Sequence, residues 1–85
     1  MTVDALDGNS IAGELFAVYG HEMTTVAGAC ANCGRISMLA ELRVYGRAPW
    51  NVGRCPHCGE VVLVLSEIHG TARIDAQRFA LHAQA

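Results

Sequence analysis

Two pairs of cysteines are the residues of this sequence with the clearest capacity for chemistry. Cys30-x2-Cys33 and Cys55-x2-Cys58 are each followed by glycine, and 21 residues separate the pairs. Two thiolates at this spacing bind one ion from a tight turn, and two such turns complete a tetrahedral site of four sulfurs. The glycine after each pair lets the chain reverse with a positive φ, which a side chain resists. The pattern therefore predicts one metal ion bound by Cys30, Cys33, Cys55 and Cys58.

Other chemistries that use paired cysteines fit this chain less well. A thioredoxin-like motif expects one pair that opens a helix after a strand, whereas proline and glycine surround the second pair here. A zinc deaminase requires His-x-Glu together with Pro-Cys-x-x-Cys, but His21 directly precedes Glu22 and Pro56 follows Cys55. Four sulfur ligands also leave no coordination position for water or substrate, and catalytic zinc sites keep one open. We therefore expect a structural site and no enzymatic activity.

Zinc and iron both accept tetrahedral sulfur, so the ligand set alone does not separate them. The second turn, Cys55-Pro56-His57-Cys58-Gly59, is similar to the second knuckle of rubredoxins, which hold one iron for electron transfer. Rubredoxins surround the iron with several aromatic residues, whereas this chain has two Tyr, two Phe and one Trp in total. His57 is also unusual in such a knuckle, and we expect its side chain to be exposed. We favour Zn2+ and keep Fe as the alternative.

The small size of the chain gives the metal a large share in folding. Its 85 residues are 52% apolar and only 16% charged. A chain of this length buries only about 60–65% of its unfolded surface. A structural zinc site contributes roughly 10–16 kcal/mol, as much as the ~5–15 kcal/mol by which a whole domain is stable. We therefore expect one domain whose fold depends on the ion.

The cysteines are positioned by an N-terminal helix segment, residues 1–20, and a metal-stapled β-sheet, residues 23–85. Asp7, Asn9 or Ser10 offers a helix N-cap, and Gly20 ends the helix, which Gly13 weakens. Apolar content and alternation predict strands, and each cysteine pair is expected at a hairpin tip. The predicted strands are 23–29, 41–45, 50–54, 61–65 and 71–76, with a turn at 46–49 and a strand at 61–65 covered on both faces. The fold class is α+β, a zinc-ribbon-like small antiparallel sheet with an N-terminal helix.

Arginines and aromatics cluster in the middle of the chain. Residues 30–59 carry four arginines against one glutamate, although the formal net charge is −2. Arginine and tryptophan are enriched at protein-interface hot spots, so Arg43, Tyr45, Arg47 and Trp50 predict a hairpin that binds another protein. Nucleic acid is the alternative, because arginine and aromatics neutralise phosphates and stack on bases. Four arginines are few for that role, and Trp50 has the further alternative of packing in the core.

The sequence also limits where the protein acts. Its longest strongly apolar run, Val61 to Leu65, is far below the ~18 residues that span a bilayer. The acidic start lacks the features of a secretory signal. We therefore expect a cytoplasmic protein without a membrane partner, in a compartment where paired cysteines bind metal rather than form disulfides.

The chain carries the motifs Leu6-Asp7-Gly8-Asn9, Cys30-x2-Cys33-Gly34, Glu41-Leu42-Arg43-Val44-Tyr45-Gly46, Ala48-Pro49 and Arg54-Cys55-Pro56-x-Cys58. Through these motifs, most of the chain resembles a family of small bacterial proteins of uncharacterised function. The resemblance implies a metal-binding fold and carries no established activity. The resemblance also implies that relatives occur beside flavin reductases and molybdenum-cofactor oxidoreductases, which suggests an oxidoreductase as the partner. An oxidoreductase partner would strengthen the iron alternative. A homodimer is a further alternative.

Overall fold

A computed structural model describes residues 6–47, without the side chain of Arg47, and residues 50–81. In these ranges the chain forms one α-helix, two short 3-10 turns (Gly8–Ile11 and Leu39–Glu41) and eight strands. The helix is α1 (Ala12–Tyr19), and the strands are β1 (Leu6–Asp7), β2 (Ala27–Cys30), β3 (Ile36–Met38), β4 (Arg43–Arg47), β5 (Trp50–Arg54), β6 (Val61–Ile68), β7 (Thr71–Asp75) and β8 (Phe79–Leu81).

The strands build two antiparallel sheets. The five-stranded sheet has the order β1-β4-β5-β6-β7, and the three-stranded sheet has the order β3-β2-β8. The α+β class with an N-terminal helix is thus confirmed, but the strands divide between two sheets where the sequence pattern predicted one. No helix in the described ranges is long and apolar enough to cross a membrane.

The N-terminal helix begins and ends close to the predicted residues. Asp7 caps the first 3-10 turn, because its Oδ1 accepts a hydrogen bond of 3.1 Å from the Asn9 N–H. Gly20 ends α1 with φ 83°, and its N–H donates to the Phe16 carbonyl at 2.8 Å. Gly13 does not interrupt the helix. The irregularity lies earlier, at the junction of the 3-10 turn with α1, where Ile11 has φ −112°.

Two predicted strands lie elsewhere than expected. The strand predicted at 23–29 is confined to β2, because a turn closed by a 2.9 Å bond from the Val26 N–H to the Met23 carbonyl precedes it. The strand predicted at 41–45 begins only at Arg43. Glu41 ends a 3-10 turn, and its carboxylate accepts from the Met38 N–H at 2.7 Å. The predicted turn at 46–49 is also displaced, since β4 continues to Arg47, and residues 48–49 lie outside the described ranges.

The core lies between the inner faces of the two sheets and α1. Gly28 shows how tightly β2 and β8 pack, because a Cβ at this position would lie 2.4 Å from the ring of the buried Phe79. On β6, Val64 is only half-buried, so the predicted cover on both faces is incomplete. The fully buried side chains are Phe79, Leu15, Leu39, Leu42, Leu63, Leu65, Cys30 and Cys55.

Candidate metal centre

The two cysteine pairs occupy matching turns at the tips of two hairpins. The first turn joins β2 to β3 and the second joins β5 to β6, as the sequence predicted. In the first, the Gly34 N–H donates to the Cys30 carbonyl at 2.8 Å, and in the second the Gly59 N–H donates to the Cys55 carbonyl at 2.9 Å. Gly34 and Gly59 have φ 77° and 82°, which explains why glycine follows each pair.

The four sulfurs lie at the spacing of one tetrahedral ion. All four Sγ atoms are within 4.8 Å of one another. The Sγ atoms of Cys30 and Cys58 are 3.7 Å apart, as are those of Cys33 and Cys55. Four Zn–S bonds of ~2.3 Å at tetrahedral angles place sulfurs ~3.8 Å apart, whereas a disulfide needs ~2.05 Å. The donor set and its geometry therefore fit one metal ion, and the cysteines are free thiols.

The ion site would join the two sheets. One knuckle belongs to the three-stranded sheet and the other to the five-stranded sheet. Each 3.7 Å sulfur pair contains one cysteine from each knuckle. In each knuckle the first cysteine is buried, Cys30 at 2% and Cys55 at 1% exposure, and the second is exposed. The cluster thus reaches from the core to the surface.

Backbone and side-chain N–H groups point at the sulfurs. The N–H groups of Asn32 and His57 donate to Cys30 Sγ and Cys55 Sγ, each at 3.4 Å. The side-chain amide of Asn32 also donates to Cys58 Sγ, at 3.5 Å across the two knuckles. N–H donors stabilise the thiolate form that a metal requires. Sequence reasoning missed Asn32, since only the folded pairing of the knuckles brings its side chain to the second one.

The two exposed thiols differ in acidity. Hydrogen bonds from the Asn32 side chain and the Glu60 N–H lower the pKa of Cys58 to about 6. For Cys33, the Arg35 N–H favours the thiolate, but loss of hydration and the neighbouring thiols outweigh it and raise the pKa to about 11. Of these two thiols, Cys58 therefore ionises at the lower pH.

Two other residues that the sequence singled out lie beside the second knuckle. The His57 ring is exposed, as expected, and the residue contacts the cluster through its backbone N–H. The Arg54 guanidinium donates from Nη1 to the Gly59 carbonyl at 2.8 Å and lies 5.8 Å from the centroid of the Tyr45 ring. Arg54 therefore connects the knuckle to the surface of the five-stranded sheet.

Three of the residues predicted to bind a partner, Arg43, Tyr45 and Trp50, share one face of that sheet. Arg43, Tyr45 and Arg47 alternate along β4, and Trp50 of β5 pairs with Arg47. Their neighbours Val44 and Gly53 on the opposite face are buried in the core. Trp50 is 56% exposed, so it does not pack in the core. The side chain of Arg47 lies outside what the structure describes.

Comparison with known proteins adds little beyond membership of a family. Residues 2–84 match the model of a protein family whose function is unknown. No curated protein and no solved structure matches the chain. The likeness to zinc ribbons and to rubredoxins therefore rests on the two knuckles alone.

Proposed function

The chain belongs to the DUF6510 family, whose function is unknown, and we propose that it is a non-enzymatic zinc protein that acts as a cytoplasmic adaptor. The observation that carries the metal site is the set of four thiols from two matching knuckles, with 3.7 Å between paired sulfurs. Cys30, Cys33, Cys55 and Cys58 would hold the ion. A set of four sulfurs is closed to substrate, which supports a structural role.

The position of the site supports a role for zinc in holding the fold together. The knuckles come from hairpins of different sheets, so one ion links the β2–β3 hairpin to the β5–β6 hairpin. Binding at structural zinc sites supplies roughly 10–16 kcal/mol, while domains of this kind are stable by ~5–15 kcal/mol. Zinc binding and folding are therefore one process in this proposal.

The adaptor role is supported by the exposed face of the five-stranded sheet. Trp50 is exposed there in the same row as Arg73 of β7, because both residues pair with Ser66. When a partner covers a large aromatic side chain that is otherwise exposed to water, the burial of its apolar surface stabilises the complex. We call this surface the arginine face and define it by Arg43, Tyr45, Trp50, Val52, Arg54 and Arg73.

A rubredoxin-like iron electron carrier is the second candidate. Cys33 and Cys58 are exposed, so two ligand sulfurs of a bound iron would reach the surface where an electron partner docks. Phe79 pairs with Cys30 across β2 and β8, which places one aromatic beside the buried side of the site. A red protein whose colour dithionite bleaches would establish this candidate. A colourless protein with one zinc per chain would exclude it.

The adaptor proposal is tested by capture from the native host extract with the zinc-loaded chain. A specific partner should be retained by the wild type and lost by Trp50→Ala. Ile36→Ala is the matched control, because Ile36 is equally exposed but lies on the three-stranded sheet. A partner that is lost by Ile36→Ala and kept by Trp50→Ala would contradict the assignment of the arginine face. Capture of no specific partner at all would contradict the adaptor role.

A further inference from the structure

Two arginines of the arginine face lie directly opposite each other. Arg43 of β4 pairs with Arg54 of β5, and both side chains are exposed. Like charges directly opposite each other destabilise a sheet. Arg73 adds a third positive charge two rows further along, where it pairs with Ser66 of β6. An anionic group bound between Arg43 and Arg54 would relieve their repulsion.

Two acidic residues, Asp7 and Asp75, lie on the same face of the sheet, and each accepts a hydrogen bond from a backbone N–H. Asp7 pairs with Arg43 across β1 and β4, yet its carboxylate accepts from the Asn9 N–H at 3.1 Å. Asp75, which pairs with Val64, accepts from the Gln77 N–H at 3.1 Å in the same way. Within residues 6–47 and 50–81, Arg54 binds a carbonyl oxygen and not a carboxylate. With three arginines against these two carboxylates, the face keeps an excess of positive charge that a ligand can neutralise.

An apolar row separates the charged rows. Tyr45, Val52 and Val64 lie side by side across β4, β5 and β6, and all three are half-buried. Trp50 extends this apolar surface into the row of Arg73. A ligand that covers the face must then supply apolar groups in its middle as well as anions at its ends.

The aromatic residues favour a protein ligand over a nucleic acid. Protein domains that bind single-stranded nucleic acids stack successive bases on several aromatic side chains whose ring faces are free. Here Arg54 already lies over the Tyr45 ring, and its guanidinium is tied to the Gly59 carbonyl. Trp50 is left as the exposed aromatic of the arginine face as the structure describes it.

We propose that the arginine face binds an extended, acidic segment of another protein, with carboxylates at Arg43 and Arg54 and again at Arg73, and apolar side chains between them. The proposal rests on the adaptor function above and specifies the chemistry of the partner. With ~4.8 Å between strands and ~3.3 Å per residue along them, Arg54 and Arg73 are about 16 Å apart. About five extended residues of the partner would span this distance.

Trp50 provides a direct readout, because it is the single tryptophan of the chain. The zinc-loaded full chain is titrated with a peptide in which two glutamate pairs flank a short apolar stretch. The same peptide with lysine in place of glutamate, and a short single-stranded oligothymidine, are the comparison probes. We expect the acidic peptide to shift the tryptophan emission and to bind about tenfold more tightly than the lysine peptide, with an affinity that falls as salt is added.

Charge reversal on the face tests which residues carry the binding. Arg43→Glu combined with Arg73→Glu should weaken the acidic peptide about tenfold or more. Ile36→Glu is the control, since Ile36 is exposed but lies on the three-stranded sheet, and it should change the affinity by less than about twofold. Zinc content and melting temperature are measured for each variant, so that loss of the fold is recognised.

Each of the following outcomes would overturn this inference. Equal affinity for the acidic and lysine peptides, or no effect of Arg43→Glu combined with Arg73→Glu on the acidic peptide, would contradict the proposal of an acidic partner. Tighter binding of oligothymidine would assign the face to nucleic acid, and a dimer abolished by the double reversal would assign it to a second copy. If the protein loses its captured partner on Trp50→Ala but does not bind the acidic peptide, the adaptor role is supported and only the proposal of an acidic segment is wrong.

Discussion

The side-chain amide of Asn32 donates to Cys58 Sγ at 3.5 Å, so a residue of the first knuckle stabilises a ligand of the second. The backbone N–H of the same residue donates to Cys30 Sγ at 3.4 Å. His57 holds the equivalent position in the second knuckle, where its backbone N–H donates to Cys55 Sγ. The two knuckles are therefore alike in their main chains and differ in this side chain.

Replacing Asn32 by alanine tests the link between the knuckles. Asn32→Ala removes the donor that lowers the pKa of Cys58, so that pKa should rise toward its ordinary value. Groups that hydrogen-bond metal ligands typically change metal affinity about 10–100-fold, and we expect a loss in this range in competition with a chromophoric zinc chelator. His57→Ala is the control and should leave the affinity unchanged. Equal losses in both variants would show that the side-chain bond is unimportant.

Removal of the metal should unfold the chain. The purified protein should contain one ion per chain, and exhaustive chelation should abolish the cooperative thermal transition, because the ion joins the two sheets. Cys30→Ser together with Cys55→Ser should have the same effect, since both buried ligands are then lost. Circular dichroism and calorimetry measure the transition. An unchanged melting temperature after chelation would contradict the structural role of the ion.

Gly28 and Gly13 make a matched pair of glycines. Gly28→Ala should destabilise the protein by about 1–3 kcal/mol, because the new Cβ would lie 2.4 Å from the buried Phe79 ring. Gly13→Ala should instead stabilise it by about 0.5–1 kcal/mol, because Gly13 lies in α1 with open space around it. Urea unfolding at fixed zinc concentration gives both values. Equal effects would show that the contact between β2 and β8 is looser than described.

Glu22 gives the protein a pH dependence of known sign. Its carboxylate accepts from the hydroxyl and the N–H of Thr24, and these bonds lower its pKa below the ordinary 4.5. A lowered folded-state pKa contributes stability that is present above 4.5 and is lost as the pH falls through the folded-state value. Glu22→Gln should therefore be less stable than the wild type near neutral pH.

The same comparison at lower pH isolates Glu22 from the cysteines. Both proteins lose zinc affinity in acid, because the thiolates protonate, and that loss cancels in their difference. The difference in melting temperature between the wild type and Glu22→Gln should shrink as the pH falls below 4.5. A difference that stays constant down to the acid transition would show that the carboxylate makes no contribution through its ionised form.

Local patterns in the sequence predicted the parts of this protein that depend on local geometry. Glycine after each cysteine pair predicted the knuckles, and Gly20 predicted the end of α1. The predicted start of the fourth strand, at residue 41, was wrong by two residues, since β4 begins at Arg43. The alternation of residues did not indicate that the Glu41 carboxylate would accept from the Met38 N–H.

Long-range pairing was beyond the reach of such patterns. The division into two sheets depends on β8 returning to β2, with Phe79 seated over Gly28. The place of Arg54 opposite Arg43 and over Tyr45 follows only from the register of β4 and β5. The side-chain reach of Asn32 to Cys58 likewise requires both hairpins to be in place.

The origin of the four sulfurs in two separate hairpins has a consequence for how the chain acquires its ion. Each hairpin by itself offers two cysteine ligands, and the four-sulfur site exists only once both hairpins are in contact. In excess zinc, each cysteine pair of a nascent chain can bind a separate ion. One of these ions must dissociate before the four cysteines can bind the other together. Excess zinc over protein therefore slows the assembly of the single site.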